Sequence, residues 1–581
     1  MRKGFLILAL PAYLLFSYLE PAQESPEARV QEKKQEIPKP AYEVEVVVTN
    51  IDVVVRDKSG RRVTGLKPEN FRVYEDGLPQ KVTNFFEVKG MEVIFPIPEK
   101  KPEEPLPSLP PPRQRSPRQG NKIVFYFDNF HLHPVNRNWS IDKLESFIGQ
   151  NFPVSGSHNQ GQVVCLDQKI SVLQEFTSDP DLLLAAVKEV RKHTGGGLLR
   201  ARTKDSLREE LNQLFGDASR PERRAETYEE ALGYARNYVE AEQNELLYSL
   251  KSLQAFVDQL AGVEGKKILI YISDGLPINP GEEVFSFLDQ AYPVGGARSE
   301  ALNYDATNFF KELAAKCNMN EVTIYPINAQ GLETAMLSAD KKEGWNTYSR
   351  GSGMMRPGSR ERNDALKLMA QETGGLAIVN SNKINLDLEK ITEDLNYYYS
   401  LGYVSLNRRE GEYHALRVEL AGVEENYDLR VRQGYVWLSQ EEKIRDAVFS
   451  RLFLERLDNP MNLRVQALPP EKIPLSDKFR LTLKILIPLK NLTFYRQNGD
   501  SVGQVKIYIS LRDAKGLISP CHELAQEIRI PEKDIEIAMK SVFPYLAEMH
   551  VNPSHYTISL AVKDVYGGVI NYLQIQTTIE E

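Results

Sequence analysis

The sequence predicts an α/β fold, a doubly wound and mostly parallel sheet, flanked by a small N-terminal β domain and a C-terminal β-sandwich. Three observations predict it. KIVFYFDNFHLH, residues 122 to 133, opens with a continuous apolar run, Ile123 to Phe127, with the length and β-branched and aromatic content of a fully buried strand. KKILIYISDG, residues 266 to 275, is a second such strand, and each stops on a carboxylate, Asp128 and Asp274. Between about residue 121 and residue 400 strand and helix patterns alternate, whereas both flanks alternate apolar and polar side chains with period two.

The elements follow in order. MRK and the almost wholly apolar stretch Gly4 to Leu19 precede a polar run, the layout of a secretory signal over residues 1–22 with a cut after Ala22. Glu20 is poorly suited to a position three residues before that cut, so an uncleaved membrane anchor is the alternative. Either way the chain is expected to be exported to the periplasm, cell envelope or extracellular space. Residues 23–42 are a polar linker. Residues 43–90 form the small β domain, punctuated by Asp57-Lys58-Ser59-Gly60 and Glu75-Asp76-Gly77. Residues 91–120 are a proline-rich, charged spacer.

The α/β region spans 121–400. Its first strand is followed by a helix near 140–150, a hairpin (GQVVCLD, ISVLQEF), and a helix capped by Asp179 with Pro180 in its first turn. LLYSLKSLQAFVDQLAG feeds the strand that ends on Asp274. Helix NFFKELAAKC, strand VTIYPINA, helix DALKLMAQETGG, strand LAIVN and helix LDLEKITEDLNYYY complete the series. Helix-to-strand connections are short, but 129–140, 275–300 and 328–363 are long, and so is 195–245, which is partly helical. All four long segments gather at the edge carrying Asp128 and Asp274, where open α/β sheets bind ligands. Residues 401–438 are a β extension, 439–460 a connecting helix, and 461–581 the sandwich.

Composition bounds the function. A length of 581 residues implies several domains, and 41% hydrophobic with 26% charged residues is ordinary globular protein. A net charge of −8 gives no support to nucleic-acid binding. Cys165, Cys317 and Cys521 lie far apart and match neither a metal spacing nor a disulfide framework.

Several stretches in the same order resemble a von Willebrand factor type A domain, and more specifically the secreted VWFA-related family of acidobacterial type. They are VVVRDKSGRRVTGLKPENFRVYEDGLPQKVTNF, LQEFTSDPDLLLAAV, ILIYISDGLP, VTIYPINAQGL, LMAQETGGLAIVN and YYYSLGYVSLNRREGEYHALRVEL with RVRQGY, within residues 45 to 435. The resemblance implies a divalent-cation site built from Asp-x-Ser-x-Ser, a distant threonine and a later aspartate. Asp128 matches the first aspartate and Asp274 the last; Thr194 and Thr203 are candidates for the threonine. Phe130 and Leu132 occupy the serine positions and cannot coordinate.

Two readings of the carboxylates stand side by side. In one, Asp128, Asp274 and waters, with Asn129, form a remodelled site for Mg or Ca. In the other, both aspartates cap helix N-termini or turns at the edge. Asn129, His131 and Thr194 complete the expected ligand edge. No nucleophile–base set is visible: Ser352 lacks a G-x-S-x-G frame, and His131 with His133 lacks a helical H-E-x-x-H. Gly195-Gly196-Gly197 has no following Lys-Ser/Thr and is expected to be a flexible turn, while YSRGSGMMRPGSRER is a basic patch at the edge. The expectation is an exported, non-enzymatic adhesion protein that binds a protein or cell-surface polymer. Cation-dependent adhesion and a loop-built hydrolase are the alternatives, and membrane contact is limited to the N-terminal segment.

Overall fold

A computed structural model of the chain describes residues 7–9, 48–90, 92–94, 120–152, 159–193, 195–217, 224–263, 265–292, 296–331, 357–381, 383–405, 409–422, 427–453 and 459–580. The linkers at 23–42 and 95–119, most of the expected signal segment, and most of the basic patch lie outside the described residues. The chain divides into two compact units, Val47–Ser439 and Met1–Val46 with Gln440–Glu581.

The first unit is mixed α/β, and its central sheet runs through it. Strands β1 (Lys122–Asp128), β2 (Gln160–Leu166), β3 (Ile170–Thr177), β4 (Lys267–Ser273) and β5 (Val322–Asn328) stand in the order β5-β4-β1-β2-β3. All neighbours are parallel except the β2–β3 hairpin. Every residue of β1 and β4 is buried, because helices cover both faces. Alternation sends Ile123, Phe125 and Phe127 to one face, where they pack with α1 (Pro134–Asn151), α2 (Pro180–Glu189) and α8 (Ile384–Asn396). Tyr126 and Asp128 go to the other, where Phe256 of α4 (Arg224–Gln259) meets the Tyr126 ring at 5.6 Å. Chain order reverses at β1, so Asp128, which ends β1, and Asp274, which directly follows β4, stand side by side at the topological switch point.

Four segments depart from the sequence reading. Helix α1 starts at Pro134, because His133 accepts from the Val135 N–H and proline suits the first turn, so 129–140 is a short turn plus helix. The long segment 195–245 is helical: α3 (Gly197–Asp217) and α4 join α5 (Glu282–Ala291) around Leu207, Leu211, Ala235, Val239, Phe285 and Leu288. That makes a helical lobe with its own core where a long, only partly helical insertion was expected. LAIVN contributes one bridge, Ile327 with Ile378, before Asn380 turns the chain in the left-handed region (φ 54°). Helices α6 (Thr307–Met319) and α7 (Pro357–Thr373) precede and follow β5 in the chain, and α8 stops at Asn396, where Tyr397–Val404 begins a strand.

That strand does not extend the central sheet. It pairs antiparallel with Val48–Arg56 on one side and Val82–Lys89 on the other. Residues 413–420 pair likewise with Phe71–Glu75. The segments 43–90 and 401–438, read separately in the sequence, therefore share two sheets and one core around Ile51, Val53, Phe71, Tyr399, Leu401 and Leu416.

In the second unit, α9 (Gln440–Ser450) precedes two antiparallel sheets. Phe479–Pro488 alternates buried and half-buried residues along its whole length, and its inward side chains share a core with Val505, Ile507, Ile558 and Leu560 of the other sheet. Ile7–Ala9 pairs antiparallel with Met549 to Ala547. No helix among the described residues is long and apolar enough to cross a membrane.

A buried ion network ties the β strands to α8. The fully buried Asp394 receives Arg56 at 2.8 Å and Arg430 at 2.6 and 2.8 Å, while Arg56 also reaches Glu393 at 2.9 Å. Removing the central carboxylate leaves two guanidinium groups facing each other with little water. Asp394→Ala is expected to lower stability by about 3–5 kcal/mol, read from the urea midpoint at unchanged m-value; a loss below about 1 kcal/mol would show that the network is not needed.

Candidate functional site

The C-terminal edge of the sheet is built around Asp128. Its carboxylate is fully buried and accepts from the His131 N–H at 3.2 Å, from His131 Nδ1 at 3.0 Å, from the Tyr271 hydroxyl, and more distantly from Ser249 Oγ at 3.4 Å. The first of these closes a single turn of 3-10 helix, Asn129–His131, with Asp128 as its cap. Burial disfavours the carboxylate anion, but these donors outweigh it and hold Asp128 below its ordinary value. Burial also holds His131 below its ordinary value, with the Asp128 carboxylate pulling the other way.

Asp274 directly follows the neighbouring strand and serves the same loop from the other side. Its Oδ2 accepts from the His133 N–H at 2.8 Å, its Oδ1 from Asn136 Nδ2 at 3.0 Å, and its own N–H donates to the His131 carbonyl at 2.9 Å. Burial pushes its carboxyl up to about 6, against the pull of those two donors. Asp274 therefore fastens the entry to α1, the capping role that was one of the two readings of the sequence.

Asn129 points away from both aspartates. It donates to Asp167 Oδ1 at 2.6 Å and accepts from Arg137 at 3.2 Å. Arg137 is almost wholly buried and also donates to the carbonyls of His193 and Arg191. Thr194 lies outside the described residues. Thr203 sits on the exposed face of α3 and back-bonds to the Leu199 carbonyl at 3.1 Å, away from both carboxylates' partners. The glycine run is a close-approach device and not a flexible turn. A Cβ on Gly195 would lie 2.2 Å from the Asn129 carbonyl, and one on Gly197 2.5 Å from that of Leu132.

These donor sets do not fit the octahedral cation that the resemblance implies. Such an ion needs free carboxylate oxygens supported by hydroxyls and water. Here the oxygens of both aspartates already accept from protein groups, and the serine positions are the half-buried Phe130 and the buried Leu132. Nor is the cluster a hydrolytic relay. Ser249 Oγ and Asp128 Oδ2 both approach the same ring nitrogen, His131 Nδ1, and His131 Nε2 is buried with no partner among the described residues. A relay needs the nucleophile and the orienting acid on opposite nitrogens of the imidazole.

Sequence reasoning missed Tyr271, Ser249, Arg137 and the Asp167–His193 pair. Tyr271 had a signal, a hydroxyl inside an otherwise apolar strand. Ser249 had none, since it is one polar position on a long amphipathic helix.

Two measurements check this account. Asp274 has its folded value raised from 3.8 to about 6, so the folded state binds the extra proton. Its stabilising contribution is complete below pH 4 and lost as pH rises through 6. The stability of wild type minus that of Asp274→Asn is expected to fall by about 3 kcal/mol between pH 4 and pH 7; a pH-independent difference contradicts the assignment. Gly195→Ala is expected to cost about 1–3 kcal/mol through the clash with the Asn129 carbonyl, whereas Gly233→Ala, with open space around it, leaves thermal stability unchanged or raised.

No protein-family model and no curated protein matches the chain. Among solved structures it is similar to an aerotolerance-related membrane protein of Bacteroides fragilis at 11% identity and a TM-score of 0.23, over 48% of this chain and 98% of that one. It is similar to the vWF domain of the type V pili tip protein Mfa5 of Porphyromonas gingivalis at 12% identity and a TM-score of 0.24, over 48% and 95%. It is also similar to proximal thread matrix protein 1 from the mussel byssus, with zinc occupied MIDAS motif, at 14% identity and a TM-score of 0.21, over 50% and 48%. At scores this low the α/β architecture rests on the strand order described above and not on these likenesses.

Proposed function

We propose that this is an exported, non-enzymatic binding protein whose type A-like unit holds a protein or a cell-surface polymer at the C-terminal edge of its central sheet. The observation that carries the reading is an apolar rim around the Asp128 turn. Val135 at the start of α1 is 67% exposed, and Leu198 and Leu199 at the start of α3 are 41% and 69% exposed. Tyr248 of α4 stands with its ring 5.5 Å from that of Phe130. The glycines that precede Leu198 press against the carbonyls of Asn129 to Leu132, which keeps these side chains around one turn. Large apolar side chains held at a sheet edge by a rigid frame favour association over catalysis.

The doubly wound strand order and the pair of edge aspartates support the type A resemblance, and the apolar stretch Gly4 to Leu19 supports export. The test is cross-linking in envelope extracts followed by mass spectrometry, comparing wild type with Val135→Asp/Leu199→Asp. Both sites are exposed, so folding is expected to survive. Loss of the specifically captured protein or glycan by about tenfold or more is expected, since introduced charge in an apolar contact costs more than 1.4 kcal/mol. Equal capture by both proteins would move the interface elsewhere.

A further inference from the structure

A second group of donors lies one strand over from Asp128. Cys165 and Asp167 leave the end of β2 two residues apart, a spacing that turns both side chains to one face of an extended chain. His193 comes from the turn that follows α2 and its 3-10 extension. His193 Nδ1 stands 2.6 Å from Asp167 Oδ2. Sulfur, carboxylate oxygen and imidazole nitrogen all lie within 4.8 Å of one another. The Cys165 side is fully buried, whereas the Asp167 and His193 side chains are 21% and 25% exposed, so the group is open to solvent on one side only.

Its supports are also in place. Asp167 Oδ1 accepts from Asn129 Nδ2 at 2.6 Å, and the His193 carbonyl accepts from Arg137, so both residues are held from behind. We propose that Cys165, Asp167 and His193 form a three-ligand site for a zinc-class transition-metal ion, with a fourth position open to water or to an oxygen donor of a bound partner. Thiolate, carboxylate and imidazole are the donors of a borderline-soft ion and not of Mg or Ca, which take oxygen alone. Binding forms three metal–ligand bonds and breaks the His193 Nδ1–Asp167 Oδ2 hydrogen bond, while Asp167 Oδ1 keeps Asn129. The thiol releases its proton to solvent, His193 binds through Nδ1 as the neutral ring with its proton on Nε2, and the two anionic ligands balance the charge of the ion. No redox step is involved.

The inference goes beyond the proposed binding role and does not depend on it, because its test measures no partner. Full-length protein is titrated with cobalt(II) in place of zinc. Wild type is expected to give a near-ultraviolet thiolate-to-cobalt band and visible d–d absorption of tetrahedral type at stoichiometric cobalt, both discharged by zinc. Cys165→Ser removes the near-ultraviolet band, and His193→Ala weakens cobalt affinity by about tenfold or more. Cys317→Ser and Cys521→Ser, at the other thiols, leave both features intact. Absence of the thiolate band in wild type overturns the proposal whatever the variants do, and so does a band that survives Cys165→Ser.

Discussion

A carboxylate at the end of a fully buried strand must find its donors inside the protein, and the sheet edge is organised by how Asp128 does so. In the cation-binding arrangement that the sequence resembles, water, hydroxyls and a metal would share that task. Here an imidazole, a tyrosine hydroxyl and a backbone N–H do it. Each donor fixes something further. The backbone bond closes the turn after β1, Tyr271 ties that turn to β4, and Ser249 brings α4 to the cluster. A buried, ionised acid with several hydrogen bonds is tolerable only while the set is complete. Side chains supplied by two strands and a helix are thereby held in one arrangement.

Asp394 has the same role at the other layer of the unit. It sits on α8, whose apolar stripe packs on the central sheet, and its carboxylate faces arginines from two strands of the β module. Burying that triad costs desolvation free energy, so it is weak as a source of stability and strong as a register device. It specifies which face of α8 meets which strands. That matters because Tyr397–Val404, which follows α8 directly, must enter between Val48–Arg56 and Val82–Lys89 in one register.

Much of the fold was legible in the sequence because its signals are local. A five-residue apolar run ending on an acid, Asp179 before Pro180, and strict alternation along Phe479–Pro488 each follow from side chains within one element. The helical lobe had a signal too: Leu207 with Leu211, and Ala231, Ala235 and Val239, recur at four-residue spacing amid many charges. What sequence could not carry was pairing at a distance. The insertion of residues 397–404 between two N-terminal strands depends on contacts more than 300 residues apart, as with Leu66 and Tyr399. The role of Asp128 depends on Ser249 and Tyr271 in the same way. The motif position showed where the edge is, and only the third dimension shows which donors fill it.

Phe130 and Leu132 make physical sense beside Asp128. Hydroxyls at those positions would need a cation or water to satisfy them, whereas apolar side chains fit only where the neighbouring acid is satisfied otherwise. His131, lying between them, supplies the missing donor, and the Gly195–Gly197 backbone closes over the turn so tightly that no side chain could stand there. The floor of the edge is therefore packed, with no ligand-exchange position at Asp128. On the proposed reading, recognition falls to the rim, where Val135, Leu198 and Leu199 project from helix N-termini and Tyr248 from the body of α4, and not from long loops. Side chains on helices lose less freedom on binding than side chains on mobile loops. On the proposed reading the edge meets its partner as a preformed apolar surface, and the proposed metal site lies one strand away, at Cys165.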